Sequence, residues 1–180
     1  MKSVEEILDY MYKTDRNLYE NFIKAPAASS HHSNYEGGLL DHSKNVAFNL
    51  LEWKNKHRDC ELTEEDCYIV GVLHDLCKTY LYKWNSDKNK YEADKSLYAH
   101  HAKLSIEMIQ NRLVIKLSTL QRILILLHMS SWSNEEDFEA LTEEDLKWLY
   151  DKKHIQLVQA MNWADMKATY EESKKENQNV

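Results

Sequence analysis

Apolar residues recur at intervals of three and four along almost the whole chain, which is the period of an α-helix that buries one face. Val4, Ile7 and Met11 already show this spacing, and no segment shows the alternation of a strand. The 180 residues include only 3 Gly and 1 Pro, too few for the frequent tight turns of a β-sandwich or barrel. Because a chain of this length fills one hydrophobic core, the sequence predicts a single all-α domain.

Capping residues and two polar stretches indicate where the helices begin and end. Thr63 followed by three acids predicts a helix start, because a Thr side chain caps free N–H groups and acids suit the positive end of the helix dipole. The same five letters, Leu-Thr-Glu-Glu-Asp, recur at 141–145, which shared capping chemistry explains better than an internal repeat. Helices are predicted over 39–56, 64–82, 97–113, 117–129 and 153–171, with a loop at 26–38 and a polar turn at 85–95. The predicted domain spans 1–172, with N-terminal helices in 1–25 and a frayed polar tail at 173–180.

Charge and cysteine content limit the expected partners and compartment. Lys and Arg number 23 against 30 Asp and Glu, a formal charge of −7, so a broad interface with duplex nucleic acid is not expected. No apolar run approaches the roughly 20 residues that span a bilayer, and the acidic N-terminus is unlike a signal peptide. Cys60, Cys67 and Cys77 lack zinc-ribbon spacing and fit reduced, mostly buried thiols. We therefore expect a cytoplasmic protein with no membrane partner.

His74 and Asp75 form the most distinctive pair in the chain, because they follow a strongly apolar stretch. A helix that is buried nearly all round cannot hold an unpaired carboxylate at low cost, so Asp75 needs a cation. Adjacent helical residues diverge by about 100°, so the pair can surround one point only if that point lies between helices. A simple hydrogen bond between His74 and Asp75 in the core is the other interpretation, and the pair alone leaves both open.

Further polar residues stand on or beside apolar helix faces elsewhere in the chain. His42 lies near the start of one predicted helix, and His100 and His101 open another. His128 ends a very apolar run, and Asp165 lies among apolar residues of the last helix. One such residue is usually a satisfied core side chain, but several in one small domain are difficult to bury separately. Gathering them around metal ions satisfies them all, as helical bundles do with side chains from facing helices.

In this order the residues resemble those of the HD-domain superfamily of metal-dependent phosphohydrolases, and the resemblance covers about residues 32–168. Leu73–Lys78 is similar to the family's His-Asp-(Ile/Leu)-Gly-Lys motif, and His101–Ser105 is similar to its His-x-x-x-Gly. Residues 164–166 resemble the closing Ala-Asp. Cysteine and serine replace the two glycines of these motifs, which affects backbone packing and not the ligands.

The opening of the region, Gly37–Ser43, is similar to the Gly-Gly-Leu-Leu-Glu-His-Ser/Thr of one bacterial branch. That branch includes the HD module attached to a 3′–5′ exoribonuclease. The resemblance implies a single HD-domain helical bundle of about six to eight helices, with an HD core over 32–168 and a metal site between helices.

The resemblance also implies two divalent metal ions. One ion is held by His42, His74, Asp75 and Asp165, and Asp75 bridges to a second ion held by His101 and His128. His101 is preferred to His100 because it stands four residues before the position of the family's glycine, and His100 remains the alternative. Imidazole and carboxylate ligands suit Mn²⁺, Fe²⁺, Co²⁺, Ni²⁺ or Zn²⁺.

The implied activity is hydrolysis of a phosphate ester by metal-activated water, with Asp75 and Lys78 as catalytic residues. The resemblance assigns Lys78 to a phosphate oxygen, and it lies one turn after His74 on the same helix face. His31 and His32 are expected at the pocket mouth, in contact with the phosphate or the leaving group. A surface lysine and a solvated loop pair are the other interpretations of these residues.

Small size and negative charge favour a small nucleotide-like phosphate substrate. A 3′–5′ exonuclease or phosphodiesterase acting on single-stranded nucleic acid is the alternative that the branch suggests. A non-catalytic nucleotide-binding sensor is a second alternative, and a single structural metal is a third. The sequence leaves the substrate's base, sugar and phosphate number open, and its Trp and Tyr residues would suit a homodimer.

Overall fold

The computed structural model describes residues 1–29, 33–94, 100–129 and 138–178, and most of these residues are helical. The all-α fold class predicted from the sequence is therefore confirmed. In chain order the helices are α1 (Val4–Thr14), α2 (Arg16–Phe22), α3 (Gly38–Lys56), α4 (Glu64–Leu73), α5 (Lys78–Leu81), α6 (His101–Asn111), α7 (Thr119–Leu126), α8 (Glu143–Leu149) and α9 (Lys152–Gln178). Strands β1 (Tyr82–Asn85) and β2 (Lys90–Ala93) form an antiparallel hairpin between α5 and α6. None of the helices in the described ranges is both long enough and apolar enough to cross a membrane.

Helix α3 lies at the centre of the bundle, because it packs along both α4 and α9. Its residues Val46, Ala47 and Leu50 are fully buried. At Gly71 of α4 the two backbones are in direct contact, since a Cβ atom there would lie 2.4 Å from the Cα atom of Ala47. This close approach lets the rings of His42, on α3, and His74, just after α4, come within 5.5 Å of each other.

The repeated five-letter segment forms two capping boxes, as the sequence predicts. The hydroxyl of Thr63 accepts from the backbone N–H of Asp66, and the Asp66 carboxylate accepts from the backbone N–H of Thr63. Thr142 and Asp145 make the same reciprocal bonds at the start of α8. Each box satisfies two N–H groups that have no partner within the helix.

Helices α4 and α7 end earlier than the sequence predicts. Their apolar patterns continue to about residues 82 and 129, but a histidine ring intervenes in each case. Nδ1 of His74 lies 2.9 Å from the carbonyl oxygen of Gly71, and Nδ1 of His128 lies 2.7 Å from that of Ile125. The ring N–H thus donates to the carbonyl that would accept a backbone N–H if the helix continued. The predicted start of α6 near Leu97 lies outside the described residues.

The hairpin corrects the prediction of a polar turn over residues 85–95 and of no strands. β1 and β2 pair along their whole length, and the rings of Trp84 and Tyr91 pack across the pair at 5.0 Å. Such cross-strand aromatic contacts stabilise short hairpins. Strands of four residues are too short for their alternation to stand out from the helical period around them.

Helix α9 is longer at its C-terminal end than the sequence predicts. The apolar pattern ends near Glu171 and predicts a frayed tail from Ser173, whereas α9 continues to Gln178. The Ser173 hydroxyl donates to the carbonyl of Thr169, and the Glu172 side chain is buried against α3. Polar contacts fix this part of the helix, so hydrophobic periodicity does not indicate it.

Replacing Gly71 with Ala is expected to destabilise the protein by about 1–3 kcal/mol, because the added methyl group would force α3 away from α4. Urea unfolding followed by circular dichroism measures this change. Gln110→Ala, at an exposed position of α6, is the control and should stay within about 0.5 kcal/mol of wild type. Wild-type stability of the Gly71 variant would contradict the importance of this contact.

Candidate metal centre

Five separate elements bring the six predicted ligand residues into one cluster. Three groups have ligand atoms within 4.8 Å of one another: His42, His74 and Asp75; His74, His128 and Asp165; and Asp75, His101 and His128. All of them are buried except His101, which is half-buried. His100 precedes α6 as its N-cap residue and is in none of these groups, which favours His101 at this position.

The rings of His74 and His128 are oriented by the backbone. Each follows the end of a helix and turns its Nδ1 atom towards the carbonyl three residues earlier, at Gly71 and Ile125 respectively. These carbonyls lie in the last helical turn, where the helix supplies no N–H partner. Nδ1 is therefore the protonated nitrogen, and Nε2 of each ring is free to act as a ligand.

His42 is oriented by a carboxylate instead. Its Nδ1 atom lies 3.1 Å from Oε2 of Glu172, and its Nε2 atom lies 3.1 Å from Oδ1 of Asp165. Sequence reasoning missed Glu172. It stands seven residues after Asp165, two helical turns along the same face of α9, and that spacing is the signal that could have found it.

Asp75 is the carboxylate that the other groups surround. Its Oδ2 atom lies 2.7 Å from Nζ of Lys78 and 3.1 Å from Nε2 of His74, and its Oδ1 atom lies 3.8 Å from Nε2 of His128. Burial raises the pKa of Asp75, but Lys78 and the imidazoles outweigh it and hold that pKa well below its usual range. Burial likewise lowers the pKa of Lys78, and Asp75 reverses this and raises it. Both side chains are therefore charged at neutral pH.

His42 and His128 differ in their protonation. Burial lowers the pKa of His42, but the carboxylates of Asp165 and Glu172 outweigh it and raise that pKa to about 9. Burial lowers the pKa of His128 to about 4 against the opposing charge of Asp75. In the metal-free protein at neutral pH, His42 is therefore protonated and His128 is neutral.

The donor atoms of the cluster fit a divalent metal. Nε2 of His74 and Oδ1 of Asp75 are buried without a hydrogen-bond partner among the described residues. An unpaired buried polar atom costs about 1–3 kcal/mol, so two in one cluster favour a bound cation. Imidazole nitrogen and carboxylate oxygen suit Mn²⁺, Fe²⁺, Co²⁺, Ni²⁺ or Zn²⁺.

Cys77 and Ser105, which stand where the resembled motifs have glycine, contact each other. The backbone N–H of Cys77 donates to the hydroxyl of Ser105 at 3.1 Å, which ties the turn carrying Asp75 to α6. Burial raises the pKa of the Cys77 thiol to about 12, so the thiol is neutral at physiological pH, and Cys77 belongs to none of the three ligand groups. All three cysteines are free thiols, and Cys67 and Cys77 are buried, as the sequence predicts.

The remaining predicted contacts are those of Lys78, His31 and His32. Lys78 lies beside Asp75, with its Nζ atom 2.7 Å from Oδ2, and 16% of its side chain is exposed, so this residue stands at the edge of the buried cluster. His31 and His32 lie outside the described residues, so their role at the pocket mouth stays a prediction.

Comparison with known proteins gives one match. The model of the family described as "HD domain" matches residues 39–169, which include all six residues of the cluster. Neither the curated proteins nor the solved structures contain a significant match to this chain.

The metal-free protein is expected to lose stability as the pH rises from about 6.5 to 9. The pKa of His42 is about 9 in the folded protein against an ordinary 6.5, so its proton stabilises the fold fully below 6.5, and this contribution is lost as the pH passes 9. His128, with its pKa lowered to about 4, contributes a change only below 6.5. The buried thiols, with pKa values raised to about 12, contribute only above their ordinary value of 9.

Thermal unfolding of chelator-treated protein across this range measures the effect. His42→Gln should flatten the profile, because it removes the titrating group. A wild-type profile that is already flat would show that His42 does not hold a proton in the folded, metal-free state.

Proposed function

Because the chain belongs to the HD-domain family, we propose that it is a metal-dependent phosphohydrolase that cleaves the phosphate ester of a nucleotide or a similar small phosphorylated molecule. The observation that carries this proposal is the buried cluster, in which Asp75 belongs to two of the three ligand groups. A carboxylate that belongs to two ligand groups suits a pair of ions that share it.

The proposed ligands divide between two divalent ions. We assign His42, His74, Asp75 and Asp165 to the first ion, and Asp75, His101 and His128 to the second. Two of the three ligand groups, His42 with His74 and Asp75 and Asp75 with His101 and His128, match this division, and the third joins Asp165 to His74 and His128. Bound ions of this kind lower the pKa of water towards 7 and neutralise charge on phosphate oxygens. A screen of phosphomonoesters, phosphodiesters and nucleoside triphosphates distinguishes the substrate classes.

The chain's own residues supply orientation and charge. The backbone carbonyls behind His74 and His128 keep Nε2 of each ring directed into the cluster, so little reorganisation accompanies binding. Lys78 keeps its positive charge at any physiological pH, because Asp75 stabilises the ammonium form. Its position at the edge of the cluster suits a contact with a phosphate oxygen of the substrate.

The net charge of −7 supports a small substrate over a long polyanion. A nucleotide brings its negative charge to one point, where the ions and Lys78 can compensate for it. A duplex spreads its charge over a long surface, and this chain has more Asp and Glu than Lys and Arg, 30 against 23, to face it.

Asp75→Asn is expected to abolish turnover and to reduce bound metal, because the amide keeps the shape but loses the charge that both ligand groups share. Metal stabilisation of a phosphoryl transition state contributes several kcal/mol, so kcat should fall about 1,000-fold or more. The measurements are metal analysis and release of p-nitrophenol from generic phosphomonoesters and phosphodiesters, followed by a screen of nucleotides and short single strands. Asp59→Asn, at an exposed position, is the matched control.

Full turnover by the Asp75 variant would contradict the mechanism. Wild-type protein with two bound ions and no turnover on any phosphate ester would identify a sensor instead. Turnover confined to single-stranded oligonucleotides, with a steep loss at higher salt, would identify the exonuclease activity.

Lys78→Gln is expected to lower kcat/KM by about 10- to 100-fold, since a hydrogen bond to a charged group contributes about 1.5–3 kcal/mol. Metal content should be unchanged or higher, because Lys78 no longer competes for the Asp75 carboxylate. Steady-state kinetics with metal analysis separates this result from that of Asp75→Asn. Lys83→Gln, at an exposed position of β1, is the control, and equal activity of both lysine variants would remove Lys78 from the substrate site.

A further inference from the structure

Glu172 is a buried acid that the six-residue cluster does not include. It lies on α9 beyond residue 169, where the family match ends. Its side chain is 6% exposed, and three groups hold its carboxylate: Nδ1 of His42 at 3.1 Å, the Ser33 hydroxyl at 2.8 Å and the Asn45 amide at 2.8 Å. Burying a carboxylate this deeply costs free energy unless it is paired, so these three contacts are needed to keep Glu172 in the interior.

Comparison with His74 and His128 shows why His42 needs such a partner. His74 and His128 follow helix ends, where carbonyls without a helical partner can accept Nδ1–H. His42 lies inside α3, where the preceding carbonyls accept the backbone N–H groups of the helix itself. Its Nδ1–H therefore needs an acceptor from another element, and Glu172 provides one from α9.

We propose that Glu172 is a positioning residue for the metal centre, holding His42 with Nε2 directed at the ion that His42 shares with His74 and Asp75. The inference rests on the proposed function, because it assigns Glu172 to a metal ligand. Accepting Nδ1–H fixes both the tautomer and the orientation of the ring, and the negative charge makes the imidazole a stronger donor to metal.

The surroundings of Glu172 keep its carboxylate in one position. Asn45 donates to Oε1 and Ser33 to Oε2, so both oxygens are held. Ser33 is itself held in place, because its carbonyl oxygen accepts from the backbone N–H of Ala27. The same oxygen packs against Gly38 so closely that a Cβ atom there would lie only 2.0 Å from it. Ser33, just before α3, and Asn45, on α3, thus fix both oxygens of the carboxylate that α9 supplies.

The test is a double-mutant cycle on metal affinity, measured as Co²⁺ binding in competition with a chromophoric chelator. In a His101→Ala background, which retains the ligands of the first ion, Glu172→Ala is expected to weaken binding by about 10- to 100-fold. When His42→Gln is added to the His101→Ala background, the same substitution should change the remaining affinity by no more than about twofold, since its effect passes through His42.

Conservative variants separate positioning from folding. Glu172→Gln keeps an oxygen that can accept Nδ1–H and should recover most of the affinity, and Asn45→Ala loosens the carboxylate without touching His42 and should give an intermediate loss. Glu171→Gln, on the same turn with a side chain 48% exposed, is the control and should bind as wild type. Circular dichroism verifies that each variant is folded.

Four results would overturn the inference. Glu172→Ala with wild-type affinity in the His101→Ala background would show that His42 does not depend on it. An equal loss in both backgrounds, or lower thermal stability with unchanged affinity, would assign Glu172 a structural role alone. Wild-type protein that binds no divalent metal would instead refute the proposed function, and this inference with it.

Discussion

The cluster depends first on one ionised carboxylate, that of Asp75, enclosed in the protein interior. Burying an unpaired charge is costly, so the surrounding structure has to supply positive charge and hydrogen-bond donors. Lys78 satisfies Oδ2, while Oδ1 has no hydrogen-bond partner among the described residues. The arrangement of the surrounding histidines on separate helices follows from this requirement, because no single helix can place donors on all sides of one carboxylate.

The ends of α4 and α7 show how local structure and site geometry arise together. At the end of each helix a histidine Nδ1–H donates to a carbonyl of the last turn. The same hydrogen bond ends the helix and directs Nε2 into the cluster. The ligands therefore need no separate loop to carry them. The contact between Gly71 and Ala47 completes the geometry, because it sets the distance between the helices that carry His42 and His74.

The helical period predicts the all-α class. Polar residues on apolar faces indicate the positions that converge, and the resemblance to the HD-domain motifs selects the six residues among them. The sequence does not predict where α4 stops, since a ring that bonds a carbonyl leaves the hydrophobic pattern unchanged. Nor does it single out Glu172, one acid among many on a charged helix, whose significance depends on how α9 crosses α3. The short hairpin was not predicted because strands of four residues show no clear alternation, and the polar end of α9 was not predicted because polar contacts hold it.

The charges of the cluster connect the metal proposal to a phosphate substrate. Asp75, Asp165 and Glu172 contribute three negative charges and Lys78 one positive charge, a balance of −2. Without metal, a protonated His42 reduces the imbalance to −1, which explains why burial fails to remove its proton. With two divalent ions bound as proposed and His42 neutral, the balance becomes +2. A phosphate group carrying two negative charges restores neutrality. The two metal ions thus remove the negative excess of the cluster and leave a positive excess that favours phosphate in a buried site.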